Sequence, residues 1–284
     1  MMKTIDDLDF ARRLIVSVEG ESGGGKSAFG IGAVVSRPPV YLYRFDFASE
    51  GVLRDVKSMG LGSQVYDEDY DISPLKETLE TMDSLDLRSD KGRKQADEII
   101  GDTRATATKI LVKYQGDYEE GINAGGTVVN DTFSEVHELV RLAFFGRLKQ
   151  VPPMFYERVN KTMSHFIRQA VFSATNLVMV NKLEDEWTDY IEDGKKKSMR
   201  TGNARVMGYK GAEYDAHNRI RVYRVGTKFD PDRGSQKVSF TGGDFHMVVV
   251  KANDRGDLVG QDFKVESQFD GFDQFGRLVY GEEW

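Results

Sequence analysis

The 284-residue chain lacks cysteine altogether, has few histidines and contains no long apolar run. The absence of cysteine excludes disulfide bonds and thiolate metal sites. The histidines show no metal-ligand spacing, so solvated or structural roles are favoured for all four: His137, His165, His217 and His246. The longest weakly polar run, residues 170–180, is too short to cross a bilayer. We therefore expect no membrane partner.

Residues 1–13 do not have the pattern of a secretory signal, and the chain has no excess of basic residues. Residues 1–13 carry acidic side chains where a signal peptide has a basic start and an apolar core, so we expect a cytoplasmic location. Hydrophobic residues make up 39% and charged residues 30%, which is typical of a soluble protein with a sizeable core. The net charge of −7 argues against a largely basic surface, although a local groove can still be basic.

The most informative stretch is residues 14–27, which read LIVSVEGESGGGKS. Its short apolar, β-branched beginning predicts a buried parallel strand. Residues 20–27 then match G-x-x-x-x-G-K-S/T at every fixed position, and a helix-compatible segment, residues 27–35, follows. This strand–loop–helix context favours a phosphate-binding P-loop over a flexible glycine-rich turn.

The residue types of this loop have a physical explanation. Glycines let the backbone wrap around an anion and point N–H groups at it, and the following helix adds its positive end. We expect Lys26 to contact the β- and γ-phosphates and Ser27 to bind Mg²⁺. The sequence thus predicts ATP and Mg²⁺ as ligands, with these nucleotide-binding residues: Gly20, Glu21, Ser22, Gly23, Gly24, Gly25, Lys26, Ser27 and Ala28.

Two further predicted strands end in acidic residues. Residues 40–46 are followed by a loop containing Glu50, a candidate general base that could equally be a solvated carboxylate. Residues 125–132 contain a short β-branched run that ends at Asp131. This is the pattern of a Walker B strand, in which the carboxylate of the terminal aspartate holds Mg²⁺ opposite the P-loop serine, here Ser27. Asn130 departs from that pattern, because an apolar residue usually precedes the aspartate. Glu135 is the rival general base.

Between these strands, residues 67–121 are polar and charge-rich. Their periodicity predicts helices over 74–87 and 93–118, separated at 90–92, and hence a helical insertion without a readable function. After Asp131 we expect helices at 133–149 and 155–170. A core strand at 176–180 should then end at Asn181, whose amide could sense the γ-phosphate.

Residues 183–210 combine basic and aromatic side chains. A mobile loop that binds single-stranded DNA and a solvated hairpin explain this segment equally well. The rest of the chain, 219–284, is expected to be β-rich: strands at 219–225 and 245–250, and further strands within 262–284 that complete the sheet. No linker composition or repeat divides residues 1–284, which predicts one domain.

The order of these segments resembles the RecA-like ATPase core. The resemblance implies an α/β fold with a mostly parallel central sheet flanked by helices. In that family a strand ending in Asn-Gln precedes a DNA-binding loop, and Asn181 with Lys182 stands at the corresponding place here. Residues 250–256 look like the Lys-x-Arg-x-Gly hairpin of DnaB-type helicases. That likeness implies that Lys251 and Arg255 reach a neighbour's γ-phosphate, in a homo-oligomer with ATP at subunit interfaces.

Taken as a whole, the chain is most similar to compact phage-encoded RecA-like ATPases associated with single-strand annealing and recombination. This resemblance implies a Mg²⁺-dependent, DNA-stimulated ATPase that acts on single-stranded DNA, in the host cytoplasm if the protein is phage-encoded. Two alternatives stay open: a non-catalytic nucleotide-binding scaffold and a small-molecule P-loop kinase.

Overall fold

Short β-branched strands form the centre of the molecule. The computed structural model describes residues 12–82, 84–149, 151–192, 195–225 and 243–284. Its strands are β1 (Ile15–Glu19), β2 (Val40–Arg44), β3 (Val65–Asp69), β4 (Thr127–Asp131), β5 (Asn176–Asn181), β6 (Leu183–Glu192), β7 (Lys195–Val206), β8 (Asn218–Val225), β9 (Asp244–Ala252) and β10 (Asp262–Val265). Eight of them make one sheet in the order β10-β9-β8-β1-β5-β4-β2-β3.

Most of this sheet is parallel. The strand β1 pairs in parallel with β5 and β8, and β2, β3, β4 and β5 continue the parallel part. In the described part of this sheet only two pairings are antiparallel, β8 with β9 and β9 with β10, at the edge opposite β3. The carboxyl ends of β1, β2, β4 and β5 therefore meet at one edge of the sheet, which is where open α/β sheets bind ligands.

Helices cover both faces of the sheet. They are α1 (Lys26–Ile31), α2 (Glu50–Ser58), α3 (Ser73–Met82), α4 (Asp90–Ala124), α5 (Phe133–Phe145), α6 (Tyr156–Val171), α7 (Gly211–Asp215) and α8 (Gly271–Tyr280). Side chains alternate along the strands, so that Leu177 and Met179 join one core cluster with α4, α5 and α6, whereas Val178 and Val180 join another with α1 and α8. The predicted architecture, a mostly parallel α/β sheet flanked by helices, is confirmed.

The helical insertion is present, with different bounds. Its first predicted residues, 67–69, belong to β3, an acidic edge strand (VYDED) that the sequence analysis missed. The second helix begins earlier than predicted, because the Ser89 side chain caps it by accepting a hydrogen bond from the Gly92 backbone N–H at 3.0 Å. The expected break at 90–92 is therefore wrong, since these residues form the first turn of α4.

The C-terminal part contains a helix that the sequence analysis took for strands. Only β10 extends the sheet within 262–284, and α8 follows it. The buried residues Phe272, Phe275 and Val279 recur at helical spacing. The ring of Phe272 packs edge-on against Phe29 of α1, at 5.8 Å between centroids. Burial of this apolar stripe against α1 explains why the segment is helical.

The strands β6 (Leu183–Glu192) and β7 (Lys195–Val206) pair as an antiparallel hairpin in a sheet of their own. The prediction of a loop is wrong for the residues of β6 and β7, which form strands, and the alternative prediction of a hairpin is correct for them. Among the described residues, no helix is both long and apolar enough to cross a membrane.

Candidate functional site

The loop after β1 folds back on itself. Gly23 and Gly25 have φ angles of 77° and 99°, a region that side-chain-bearing residues rarely occupy. The Gly24 backbone N–H donates to the Glu21 carbonyl at 3.1 Å. Lys26 Nζ donates to the carbonyl oxygens of Gly20 and Glu21, each at 2.8 Å, so its ammonium lies across the loop. Burial lowers the pKa of Lys26, and the charges of nearby Asp131 and Asp46 oppose that shift.

The glycines also let neighbouring strands brace the loop. A Cβ on Gly20 would lie 2.4 Å from the Val222 carbonyl oxygen of β8, and one on Gly24 would lie 3.1 Å from the same atom. A Cβ on Gly25 would meet the Phe245 ring of β9 at 2.6 Å. The loop therefore packs directly on β8 and β9. Close packing against Val222 and Phe245 is a second reason for glycine at these positions, and the phosphate-binding motif alone does not predict it.

Asp131 and Ser27 come together as the sequence predicts. Asp131 ends β4 and is 1% exposed, and burial raises its pKa to about 6, while a hydrogen bond from Ser27 opposes that shift. Its Oδ2 atom accepts no hydrogen bond from any described residue. A buried carboxylate oxygen without a donor, next to a hydroxyl, suits a hard cation such as Mg²⁺.

The donor set also fits Mg²⁺ better than a tightly caged metal. In the described part of the chain, no group of three or more His, Cys, Asp or Glu side chains is placed to hold a metal ion. Mg²⁺ usually takes only one or two protein ligands and completes its shell with water and substrate phosphates. Ser27 and Asp131 are the residues that would hold it.

A cleft of about 810 Å³ opens over the loop, within the size range of small-molecule sites. Its walls include nearly all of the predicted nucleotide-binding residues together with several unpredicted ones: Gly20, Glu21, Ser22, Gly23, Gly25, Lys26, Ser27, Ala28, Asp46, Ala48, Val52, Asp131, Thr132, Lys182, Leu183, Glu184, Asp185, Ala204, Arg224 and Gln268. Gly24 is not on this wall, because it packs against Val222 behind the loop.

The acidic residue that reaches the cleft from β2 is Asp46, not Glu50. Glu50 is exposed in the first turn of α2 and does not line the cleft. Asp46 Oδ1 accepts from the Ala48 backbone N–H at 3.1 Å, and its Oδ2 lies 3.5 Å from Lys182 Nζ. Acidic residues that bind ligands often follow the carboxyl end of a parallel strand, which is why the sequence directs attention to the loop after β2. Within this loop Asp46 lies nearer the end of β2 than Glu50 does.

The strand β5 presents Lys182 to the cleft and turns Asn181 away. Asn181 is buried, and its Nδ2 donates to Ser17 Oγ at 2.9 Å and to the Met179 carbonyl at 3.1 Å. The expectation that Asn181 contacts a phosphate is therefore corrected, because its amide donors tie β5 to β1. Lys182 Nζ instead lies in the cleft, 2.9 Å from Glu135 Oε1.

Lys251 and Arg255 are held by their own chain, away from the cleft. Lys251 Nζ donates to the carbonyls of Tyr214 and Ala216 at 2.8 and 2.6 Å, at the end of α7. Arg255 pairs with Asp257 and donates to the Leu278 carbonyl at 3.0 Å. Within one chain these cations do not join the P-loop, and their action on a neighbouring subunit stays a prediction.

Arg224 adds a cation that the sequence analysis missed. It lines the cleft from β8, and its guanidinium carbon lies 4.0 Å above the centre of the Phe245 ring. Burial lowers its pKa. Phe245 in turn packs on Gly25, so the P-loop, the ring and the guanidinium form one wall. The alternation of the predicted strand 219–225 is the signal that could have placed Arg224.

The β6–β7 hairpin joins the cleft at its base and exposes aromatic and basic side chains further out. Its cross-strand ion pairs are Arg205 with Glu184 at 2.8 Å and Arg200 with Asp185 at 3.1 Å. Trp187 is 51% exposed, and Arg200 lies 5.3 Å from its ring centre. Acids on β6 thus offset part of the basic charge on β7.

Comparisons with known proteins give a distant structural similarity. No protein-family model matches the chain, and no curated protein matches it. Among solved structures, the chain is similar to one titled "Crystal structure of the RadB recombinase". The identity is 11%, the match covers 88% of this chain and 86% of that chain, and the TM-score is 0.42. At this distance the similarity carries no argument about function.

Proposed function

We propose that the protein binds and hydrolyses ATP with Mg²⁺ in the cleft over residues 20–27. The observation that carries this proposal is the meeting of Lys26, Ser27 and the donorless Oδ2 of Asp131 at one cleft, in the setting of a complete P-loop motif. The convergence of a lysine, a hydroxyl and a carboxylate matches what phosphoryl transfer requires, namely positioning and charge neutralisation.

Each of these residues has a defined task in this proposal. Lys26 exchanges the carbonyls of Gly20 and Glu21 for phosphate oxygens, which replaces neutral acceptors of its ammonium with charged ones. Mg²⁺, when bound, neutralises charge on the phosphates. Ser27 and Asp131 hold it, and Asp46 takes the water-orienting role expected of Glu50, because Asp46 is the β2-loop acid on the cleft wall.

Steady-state ATP hydrolysis with Mg²⁺ tests this proposal. We expect Lys26→Ala to lose turnover by a factor of 100 or more, since its charge serves the transition state, and Glu50→Gln to retain it. Lys113→Met is the matched control, because Lys113 is an ion-paired lysine outside the cleft wall. Unchanged turnover in Lys26→Ala contradicts the site assignment. Tight ATP binding without turnover in the wild type supports the nucleotide-binding scaffold instead.

We further propose that single-stranded DNA binds along the β6–β7 hairpin, as part of a phage recombination or replication function. The support is the exposed Trp187 beside Arg200, together with Tyr190 and Met199, on an arm whose base lines the cleft. Aromatic rings stack on bases without sequence preference, and basic groups meet the phosphates. Because the acids of β6 offset part of this charge, we expect the rings to contribute more than the lysines and arginines.

The test is binding of oligo(dT) to the wild type and to Trp187→Ala, measured by fluorescence anisotropy of a labelled strand. The loss of one stacking ring should weaken binding by roughly tenfold. The matched control is Tyr214→Ala, which removes an exposed ring from α7, outside the hairpin. Equal affinities of the wild type and Trp187→Ala contradict DNA binding on this arm.

A further inference from the structure

A chain of alternating charges connects the helical insertion to the cleft. Lys76 Nζ of α3 lies 3.2 Å from Glu135 Oε1 in the first turn of α5. The same oxygen lies 2.9 Å from Lys182 Nζ, which also lies 3.5 Å from Asp46 Oδ2. Lys182 and Asp46 both line the cleft, whereas Lys76 and Glu135 are not part of its wall. We call Lys76, Glu135, Lys182 and Asp46 the charged chain.

Glu135 is the buried centre of the charged chain. Its side chain is 11% exposed, and its Oε2 has no hydrogen-bond donor among the described residues. Burial of a carboxylate is costly unless cations compensate it, so Glu135 depends on Lys76 and Lys182. Lys76 also pairs with Glu138 at 2.5 Å. Burial lowers the pKa of Lys76, but Glu138 and Glu135 outweigh that effect and raise it, so Lys76 stays charged.

The Lys182 ammonium therefore interacts with the carboxylates of Glu135 and Asp46 as well as with any anion that binds in the cleft. Its side chain is 36% exposed, which leaves it open to a ligand on the cleft side. A cation can favour a bound phosphate only to the extent that it is not held by Glu135 and Asp46. The strength with which Glu135 attracts Lys182 depends in turn on how far Lys76 already neutralises the charge of Glu135.

We propose that Lys76, supplied by the helical insertion, is a positioning residue for the nucleotide site: by neutralising Glu135, it releases Lys182 toward the terminal phosphate of the bound triphosphate. This inference rests on the proposed nucleotide site and gives the insertion a role in it. It places the response to the third phosphate partly outside the P-loop, in the contact of Lys76 on α3 with Glu135 on α5.

Affinities for ATP and ADP, each with Mg²⁺ and measured by isothermal titration calorimetry, test the proposal. In Lys76→Met, Lys182 is the remaining cation that pairs with Glu135, so Glu135 holds it more strongly. We therefore expect the affinity for ATP to fall roughly fivefold and the affinity for ADP to stay unchanged. Lys76→Arg should restore the ATP-to-ADP ratio, because it keeps the charge. In a Glu135→Gln background, Lys76→Met should have little further effect, because the carboxylate through which it acts is absent.

The matched control is Lys113→Met in α4, which removes two ion pairs of the insertion, with Glu68 and Asp117, that do not involve Glu135. It should leave both affinities unchanged. The proposal is overturned if Lys76→Met weakens ATP and ADP equally, changes neither, or keeps its full effect when Glu135 is glutamine. If the wild type binds no ATP, the proposed function fails and this inference falls with it. If the wild type binds ATP and the ratio is insensitive to Lys76, only the inference fails.

Discussion

Replacing Gly20 by alanine tests the bracing of the P-loop by β8. The new Cβ would lie 2.4 Å from the Val222 carbonyl oxygen, far inside van der Waals contact. This oxygen belongs to backbone that cannot move cheaply, because β8 is paired with β1 on one side and β9 on the other. Gly20 does not have a positive φ angle, so the penalty is steric.

Two terms of opposite sign set the size of this effect. Overpacking against a fixed backbone costs about 1–3 kcal/mol. The lower entropy of alanine in the unfolded chain returns about 0.4–1 kcal/mol. We therefore expect Gly20→Ala to lose about 1–2 kcal/mol of unfolding free energy. ATP affinity should also weaken, because the loop must shift away from β8.

Urea unfolding measures the loss of unfolding free energy, provided that the dependence on urea concentration (the m-value) is the same in both proteins. Calorimetric titration with ATP measures the loss of ATP affinity. The control is Gly101→Ala in α4, where a Cβ meets nothing within 4 Å. Because glycine is a poor helix former, this control should gain up to about 1 kcal/mol. If Gly20→Ala matched the wild type in both stability and ATP affinity, the bracing of the loop would be refuted.

Two further predictions concern individual side chains. Burial lowers the pKa of His137 to about 4, below its ordinary value of 6.5, so the folded state resists a proton that the unfolded state accepts. Its contribution to stability is intact above pH 6.5 and should fall by about 2 kcal/mol by pH 5, and urea unfolding of His137→Leu should lack that component. Just after β5, Lys182→Gln should weaken ATP binding, and it should also lower stability because Glu135 loses one of the two cations that compensate it. Asn181→Ala should lose about 1–2 kcal/mol of stability with ATP affinity unchanged, because it leaves Ser17 without its buried donor. Weaker ATP binding in Asn181→Ala, seen by calorimetry, would return Asn181 to the phosphate site.

The parts of the fold that the sequence predicts well are those whose local pattern and burial agree. The strands β1, β4 and β5 are β-branched and fully buried, so hydrophobicity alone identifies them. The strand β3 escapes detection because it is an edge strand with acidic, largely exposed residues. The helix α8 was mistaken for strands, although the spacing of Phe272, Phe275 and Val279 was present in the sequence.

The candidate site divides in the same way. The P-loop motif and the predicted Walker B aspartate are local patterns, and Lys26, Ser27 and Asp131 line the same cleft. The contacts of Lys76 and Lys182 with Glu135 join residues 59 and 47 positions apart, and no local pattern encodes such contacts. The sequence names Glu50 as the candidate base after β2, whereas the structure places Asp46 on the cleft wall, because the backbone path after β2 decides which acid faces the cleft.

The most direct test of the nucleotide site is the dependence of ATP affinity on Mg²⁺ in the wild type and in Asp131→Asn. Calorimetric titration with ATP, in excess Mg²⁺ and in chelator, gives the four affinities. We predict that Mg²⁺ tightens ATP binding to the wild type by tenfold or more, and that Asp131→Asn loses most of this gain because the buried carboxylate is gone. An equal gain from Mg²⁺ in both proteins, or none in the wild type, would contradict the account.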